Sequence, residues 1–248
     1  MQRYFVNRDA FKDGFVHLSG EEAHHIARVM RMAVGDEIIC ASNGQSALCK
    51  IAKITHSAVQ ASVVKWLSEN HELPHEVTIA QGMPKGDKLE IVVQKGTELG
   101  AKHFLPFYAS RSLVKWTKEK AEKKVSRLQK IAKEAAEQSH RQMIPSVSLP
   151  VSFESLLKLS SGYHLKIVAY EEEARNNKDG LPLLFRSLSK VQSILFVSGP
   201  EGGFTTEEID QLRKHDFYVC GLGPRILRTE TAPQYFLAAL SYETELKR

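Results

Sequence analysis

Between Ser198 and Pro233 the chain reads SGPEGGF and then, after a short helix and a strand, GLGPRILRTETAP. Gly199, Gly202, Gly203, Gly221 and Gly223 share this stretch with Pro200, Pro224 and Pro233, so two backbone loops here take shapes that ordinary residues resist. Each loop sits where a strand ends. Val191 to Val197 is a continuous apolar, β-branched run of the kind that a strand buried on both faces requires, and it empties into the first loop. Thr205 and Glu208 then make a T-x-x-E capping pair ahead of Ile209 and Leu212. A second strand begins at Phe217 and runs into Gly221-Leu222-Gly223-Pro224. A last helix starts near Thr231, with Pro233 in its first turn, where a missing N–H costs little. Both loops are therefore expected at the carboxyl ends of neighbouring parallel strands, where open α/β sheets bind ligands.

The rest of the chain divides in two. Residues 1–72 carry short strand-like pieces at Tyr4–Val6 and Phe15–Leu18, then Ser19-Gly20-Glu21-Glu22 as a second S-x-x-E cap for a helix. Glu37–Ala41 and Ala47–Ile54 flank Asn43-Gly44, the strongest short hairpin signal, and Ala58–Trp66 adds an alternating strand. This reads as a small β-rich, barrel-like module, closed by the polar stretch before Pro74. From residue 73 to 248 the pattern becomes strand, helix, strand, helix: Val77–Ala80, a helix capped by Asp87 and ended by Gly100, His103–Tyr108, a long helix from about Thr117 to Gln138, and Leu165–Tyr170. Such alternation predicts a parallel sheet with helices on both faces.

Composition narrows the partners. The net charge of +5 and pI near 9.0 make polyanions plausible partners. Lys115 to Lys133 concentrates eight Lys or Arg against two Glu, seven of the eight on the long helix, which reads either as a solvated face or as a nucleic-acid surface. Cys40, Cys49 and Cys220 have no C-x-x-C spacing, so neither a disulfide framework nor a metal site is expected. No apolar run is long enough for a bilayer and Met1–Asp9 resembles no signal peptide, so a cytoplasmic protein is expected. G-x-G-x-x-G after an early strand, the P-loop, the nucleophile elbow and H-E-x-x-H are all missing.

GPEGGF followed by LGPRILRTETAP resembles the second and third signature motifs of the SPOUT methyltransferases, whose carboxyl-terminal part ties a trefoil knot around S-adenosylmethionine. Within that group the chain is most similar to the RsmE family, small-subunit ribosomal RNA uridine N3-methyltransferases. RYF at Arg3–Phe5, HHIARVMRMAVGDEI at His24–Ile38, QKGTELG at Gln94–Gly100 and EAAEQSHR at Glu134–Arg141 fit the same family. The resemblance implies a PUA-like RNA-binding barrel over 1–72 and a knotted α/β methyltransferase domain over 73–248. It further implies a cytoplasmic homodimer acting on a specific uridine of 16S ribosomal RNA in the small subunit, without a metal. By the same resemblance, Gly199, Glu201, Gly202 and Gly203 in the first loop embrace the cofactor with Leu222, Gly223, Pro224, Arg225, Ile226 and Leu227 in the second, while Ala169 and Tyr170 complete the pocket. RNA contacts are expected from Arg3, Arg28, Arg31, Arg111, Lys123, Lys124, Arg127 and Arg141.

The implied reaction is an in-line displacement by uridine N3, which is a poor nucleophile until its proton leaves. Arg228 and Glu230 are the catalytic candidates, with Glu201, Arg111, His140 and Arg141 as further charged groups. Arg228 can stabilise an oxyanion but cannot act as a base at neutral pH. The structural alternative for Glu230 is helix capping or an ion pair with Arg228. A reading of another class, a non-catalytic RNA-binding or ribosome-assembly factor on the same fold, leaves the two glycine loops without a use.

Overall fold

The structure is a computed structural model that describes residues 1–173, 180–186 and 188–247. The chain forms two compact units, Met1–Glu72 with Ala136–Ile144, and Leu73–Ala135 with Pro145–Arg248.

The first unit is a six-stranded sheet curled into a half-barrel. Its strands are β1 (Arg3–Phe5), β2 (Phe11–Lys12), β3 (Phe15–Ser19), β4 (Glu37–Ser42), β5 (Gln45–Ile54) and β6 (Ala58–Leu67), in the order β1-β4-β5-β6-β3-β2. All pairs are antiparallel except β1 with β4. Asn43 and Gly44 both take positive φ (49° and 80°) between the paired residues Ser42 and Gln45, as a two-residue primed turn demands. Tyr4, Val16, Leu18, Ile26, Ile38, Cys40, Cys49, Ile51 and Val59 fill the concave side. Ser19 precedes the short helix α1 (Gly20–His24), but its hydroxyl caps nothing. Ser19 is still paired to Ala58 in the sheet and Gly20 sits at φ 62°, so the first helical N–H groups do not turn toward it.

The second unit is built on an all-parallel sheet. Its strands are β7 (Glu76–Gly82), β8 (His103–Tyr108), β9 (Ser146–Val147), β10 (Val151–Ser152), β11 (Leu165–Ala169), β12 (Ser193–Ser198) and β13 (Tyr218–Cys220), in the order β10-β8-β7-β12-β11-β13, with β9 also on β8. Its helices are α2 (Lys88–Glu98), α3 (Lys118–Gln138), α4 (Phe153–Ser160), α5 (Gly180–Phe185), α6 (Thr206–Lys214) and α7 (Thr231–Ser241). Alternate residues of the central strands serve opposite faces. Ala80, Val168, Leu195 and Val197 pack with Leu156 of α4 and with Ile209 and Leu212 of α6. Phe196 points the other way and stacks on Phe236 of α7, with ring centroids 4.2 Å apart. The parallel sheet covered on both faces is as the alternation predicted.

Two local expectations change. β12 and β13 are not neighbours, because β11 pairs with both and lies between them. Strand order is set by pairing across the sheet, which the run of one strand into the next loop does not encode. Asp87 precedes α2 without a side-chain cap; instead its carbonyl oxygen accepts the N–H groups of Glu90 (3.0 Å) and Ile91 (3.3 Å).

Candidate functional site

The carboxyl ends of β11 and β12 and the segment after β13 enclose a cleft of about 940 Å³, within the range typical of small-molecule pockets. Its walls are Ala169–Glu172, Ser198–Phe204 and Leu222–Thr229, with Lys88 and Arg111 at the sides. All twelve residues expected around a cofactor line this one cleft, as does Arg228. The insertion of β11 explains the geometry: it sets Ala169 and Tyr170 between the two glycine loops.

The first loop is fixed at four points. Gly203 N donates to Pro200 O (2.9 Å), closing a turn, and Gly203 itself takes φ 67°. Arg111 Nη1 donates to Gly202 O (3.0 Å), so Arg111 braces the loop. Thr205 and Glu208 form the reciprocal capping box at the start of α6, and Glu208 also accepts the Ser110 N–H (2.8 Å). Glu201 Oε1 accepts from Lys85 N (3.0 Å) and Lys88 Nζ (2.9 Å). Burial disfavours the Glu201 charge, yet Lys88 and the backbone N–H of Lys85 outweigh it and hold the carboxyl below the usual carboxylate range. The hydrogen bond to Glu201 in turn raises Lys88 above the ordinary lysine value.

The second loop crosses from the sheet edge to its centre. It leaves β13 at Cys220, and by Thr229 it has reached the ends of β12 and β7, where Thr229 Oγ1 donates to Gly199 O (2.6 Å) and accepts from Gln81 Nε2 (2.8 Å). Gln81 is buried and its Oε1 accepts from Ser198 Oγ (2.8 Å), so one side chain joins β7, β12 and the exit of the second loop. The next residue, Gly82, faces Pro200 so closely that a Cβ there would lie 2.6 Å from the proline ring. Gly223 takes φ 97°.

Glu230 stands at the start of α7 but its carboxylate caps no N–H. It does not pair with Arg228. Its Oε2, buried and without a hydrogen-bond partner, lies 3.7 Å from Lys88 Nζ. Sequence reasoning missed Lys88, Gln81, Ser198 and Thr229. Lys88 carried a faint signal, since it opens an amphipathic helix right after a strand end, but nothing in the local sequence points it at Glu201.

The eight residues expected to meet RNA separate into groups. Arg28, Arg31 and Lys123 are exposed, Lys124 is half-buried, and Arg127 is exposed but paired with Glu90 (2.8 Å). Arg111 belongs to the cleft wall. Arg3 and Arg141 are buried, which removes both from the RNA-facing set. Arg3 Nη1 donates to Ser46 Oγ and to the carbonyl oxygen of Arg141, both at 2.9 Å. Arg141, only 2% exposed, is gripped by the carboxylate of Glu72, which also accepts the Gln142 N–H (2.9 Å). Arg141→Ala is therefore expected to destabilise the protein by about 3 kcal/mol in denaturant unfolding, because it strands a carboxylate with its main cation gone. Unchanged stability with weakened RNA binding would return Arg141 to the RNA face.

The cleft suits S-adenosylmethionine on its own terms. Glycine backbone lines it on two sides, and a Cβ built on Gly203 meets no protein atom within 4 Å, so that space is open for a ligand edge pressed against main-chain donors and acceptors.

An RNA methyltransferase domain family matches residues 71–241 and an RNA methyltransferase PUA domain family matches residues 18–64. The chain is 49% identical to ribosomal RNA small subunit methyltransferase E of Bacillus subtilis, covering 100% of this chain and 99% of that protein. It is 32% identical to the protein of the same name in Synechocystis, over 96% of this chain and 77% of that one. A solved structure of ribosomal RNA small subunit methyltransferase E from Neisseria gonorrhoeae bound to S-adenosyl methionine superposes with a TM-score of 0.84 at 27% identity, over 97% of both chains. A Legionella pneumophila methyltransferase solved with bound SAM gives 0.81 at 30% identity, over 96% of both.

Proposed function

Since the chain belongs to the ribosomal RNA small subunit methyltransferase E (RsmE) family of SPOUT methyltransferases, we propose that it places a methyl group on N3 of one uridine in 16S ribosomal RNA. It is an S-adenosylmethionine-dependent ribosomal RNA methyltransferase, with a SPOUT domain and a PUA domain. The observation that carries the reading is the single cleft in which both glycine loops and the end of β11 meet.

When bound, S-adenosylmethionine supplies a methyl group already activated by its sulfonium, without a Lewis acid. In our reading the two loops hold that cofactor with main-chain groups. Gly199, Gly202, Gly203, Gly223, Pro224, Leu222 and Leu227 furnish backbone and apolar wall, Ala169 and Tyr170 close the side, and Arg225 and Ile226 form the outer lip, where Ile226 is 80% exposed. Arg228 lines the same cleft, and in our reading its guanidinium donors serve the substrate. As uracil loses its N3 proton, charge spreads to the flanking carbonyl oxygens, and a guanidinium fork stabilises it. Glu230 we assign to holding Lys88 rather than to proton transfer, on the strength of the 3.7 Å approach.

Purified protein, labelled S-adenosylmethionine and small subunits from cells lacking the modification test the whole reading. One N3-methyluridine mapped by mass spectrometry is expected; label on another base or on protein would overturn it.

For RNA we propose contacts from Arg28 and Arg31 in the first unit and, separately, from Lys123, Lys124 and Arg127 on α3 in the second. Affinity is expected to fall with salt at a slope of about −0.7 to −0.9 per phosphate contact. Lys123→Ala, Lys124→Ala and Arg127→Ala together flatten that slope while S-adenosylmethionine affinity holds. If slope and affinity both persist, α3 is a solvated face. We also propose a homodimer in the cytoplasm. Tyr235, Tyr242 and Leu246, exposed on and after α7, supply apolar surface for a second copy, and sedimentation measures it directly. No described helix is long and apolar enough to cross a membrane.

A further inference from the structure

Arg228 and Glu230 are two residues apart, and a carboxylate so close to an exposed guanidinium would ordinarily capture it. Instead, among the described residues Arg228 makes no ion pair, and Glu230 is turned toward Lys88. Lys88 comes from the first turn of α2 and engages two carboxylates at once, Glu201 Oε1 at 2.9 Å and Glu230 Oε2 at 3.7 Å. It remains only 29% exposed while doing so. Glu201 is held in addition by the Lys85 N–H, so its place does not depend on Lys88 alone. Glu230 has no such second tether, and its Oε2 accepts no hydrogen bond. Arg228 is close enough for its charge to act on Lys88, so the two cations repel each other at this edge of the cleft. Both cations and Glu201 line or face one cleft.

We propose that Lys88 is a positioning residue that occupies Glu230, and so keeps the Arg228 guanidinium unpaired and aimed into the cleft. This rests on the methyltransferase reading and deepens it. Without Lys88, Glu230 draws Arg228 out of line, and a displacement of about 1 Å at a reacting centre costs on the order of a hundredfold in rate. A Lys88 that merely stiffened the cleft would show no such dependence on Glu230.

The test is single-turnover methylation of small ribosomal subunits lacking the modification, at saturating S-adenosylmethionine, with each variant checked by thermal unfolding. Lys88→Ala is expected to slow transfer by about ten- to a hundredfold. Lys88→Arg, which keeps the charge, recovers most of the rate. Lys88→Ala combined with Glu230→Gln also recovers most of it, because the amide no longer attracts Arg228. Lys88→Met serves in the same design if the alanine variant does not fold. A double variant as slow as the single one, or a Lys88→Ala rate equal to the wild type, overturns the proposal while leaving the methyltransferase reading standing. A wild-type protein that transfers no methyl group at all instead overturns that reading, and the Lys88 role with it.

Discussion

Gly203→Val and Gly223→Val are each expected to lower S-adenosylmethionine affinity by at least about a hundredfold while the protein stays folded. The two glycines sit at φ 67° and 97°, where a β-branched residue is strained by about 1–3 kcal/mol, already a factor of roughly 5 to 150 if the loop must hold that shape to bind. The second contribution is steric and falls on the ligand rather than on the protein. No protein atom lies within 4 Å of a Cβ built on Gly203, and at Gly223 the nearest is Tyr235 Oη at 3.8 Å, so the isopropyl groups find room in the fold at two positions that line the cleft. Titration calorimetry together with thermal unfolding reads both effects. Unchanged affinity in both variants would mean that the cofactor lies elsewhere.

Arg228→Ala is expected to cut the single-turnover rate by about two orders of magnitude at saturating cofactor and RNA, which corresponds to about 3 kcal/mol for a donor aimed at developing charge. Arg228→Lys should regain part of the loss, since the ammonium keeps the charge but lacks the planar fork. The structural competitor, a capping pair between Arg228 and Glu230, has lost ground. Glu230 faces Lys88, and the two N–H bonds that start α7 near Arg228, from Thr231 and Ala232, use its backbone carbonyl and leave the side chain alone. Wild-type turnover in Arg228→Ala, with the cofactor still bound, would end the catalytic assignment.

Much of this site was legible because its signals are local. A glycine pair after a buried apolar run, T-x-x-E before an amphipathic helix and Asn-Gly between two strands each act within a few residues, and each has the predicted geometry. What escaped was of two kinds. Lys88 and Gln81 meet their partners across more than a hundred residues of sequence, Glu201 in one case and Ser198 and Thr229 in the other, so no window could pair them. The order of β11, β12 and β13 was hidden for the same reason. The other kind was burial. Arg3 and Arg141 look in the sequence like any basic residue beside a polyanion site, and only the fold reveals that Ser46 and Glu72 have claimed them. Ser19 shows the reverse error, a correct capping pattern disarmed by a glycine at positive φ.

The junction at Gln81 also puts the cleft on a clock. A ribosome adds about 5 to 20 residues each second, and Gln81 and Thr229 are 148 positions apart, so the side chain waits roughly 7 to 30 s between its own synthesis and the arrival of that partner. Through that interval β7 can pair with β8, but it gains β12 only after Ser193–Ser198 is made, and the third wall of the cleft comes later still. A growing chain therefore has no finished place for the cofactor until Thr229 has been added, and the polar end of β7 spends its youth in water.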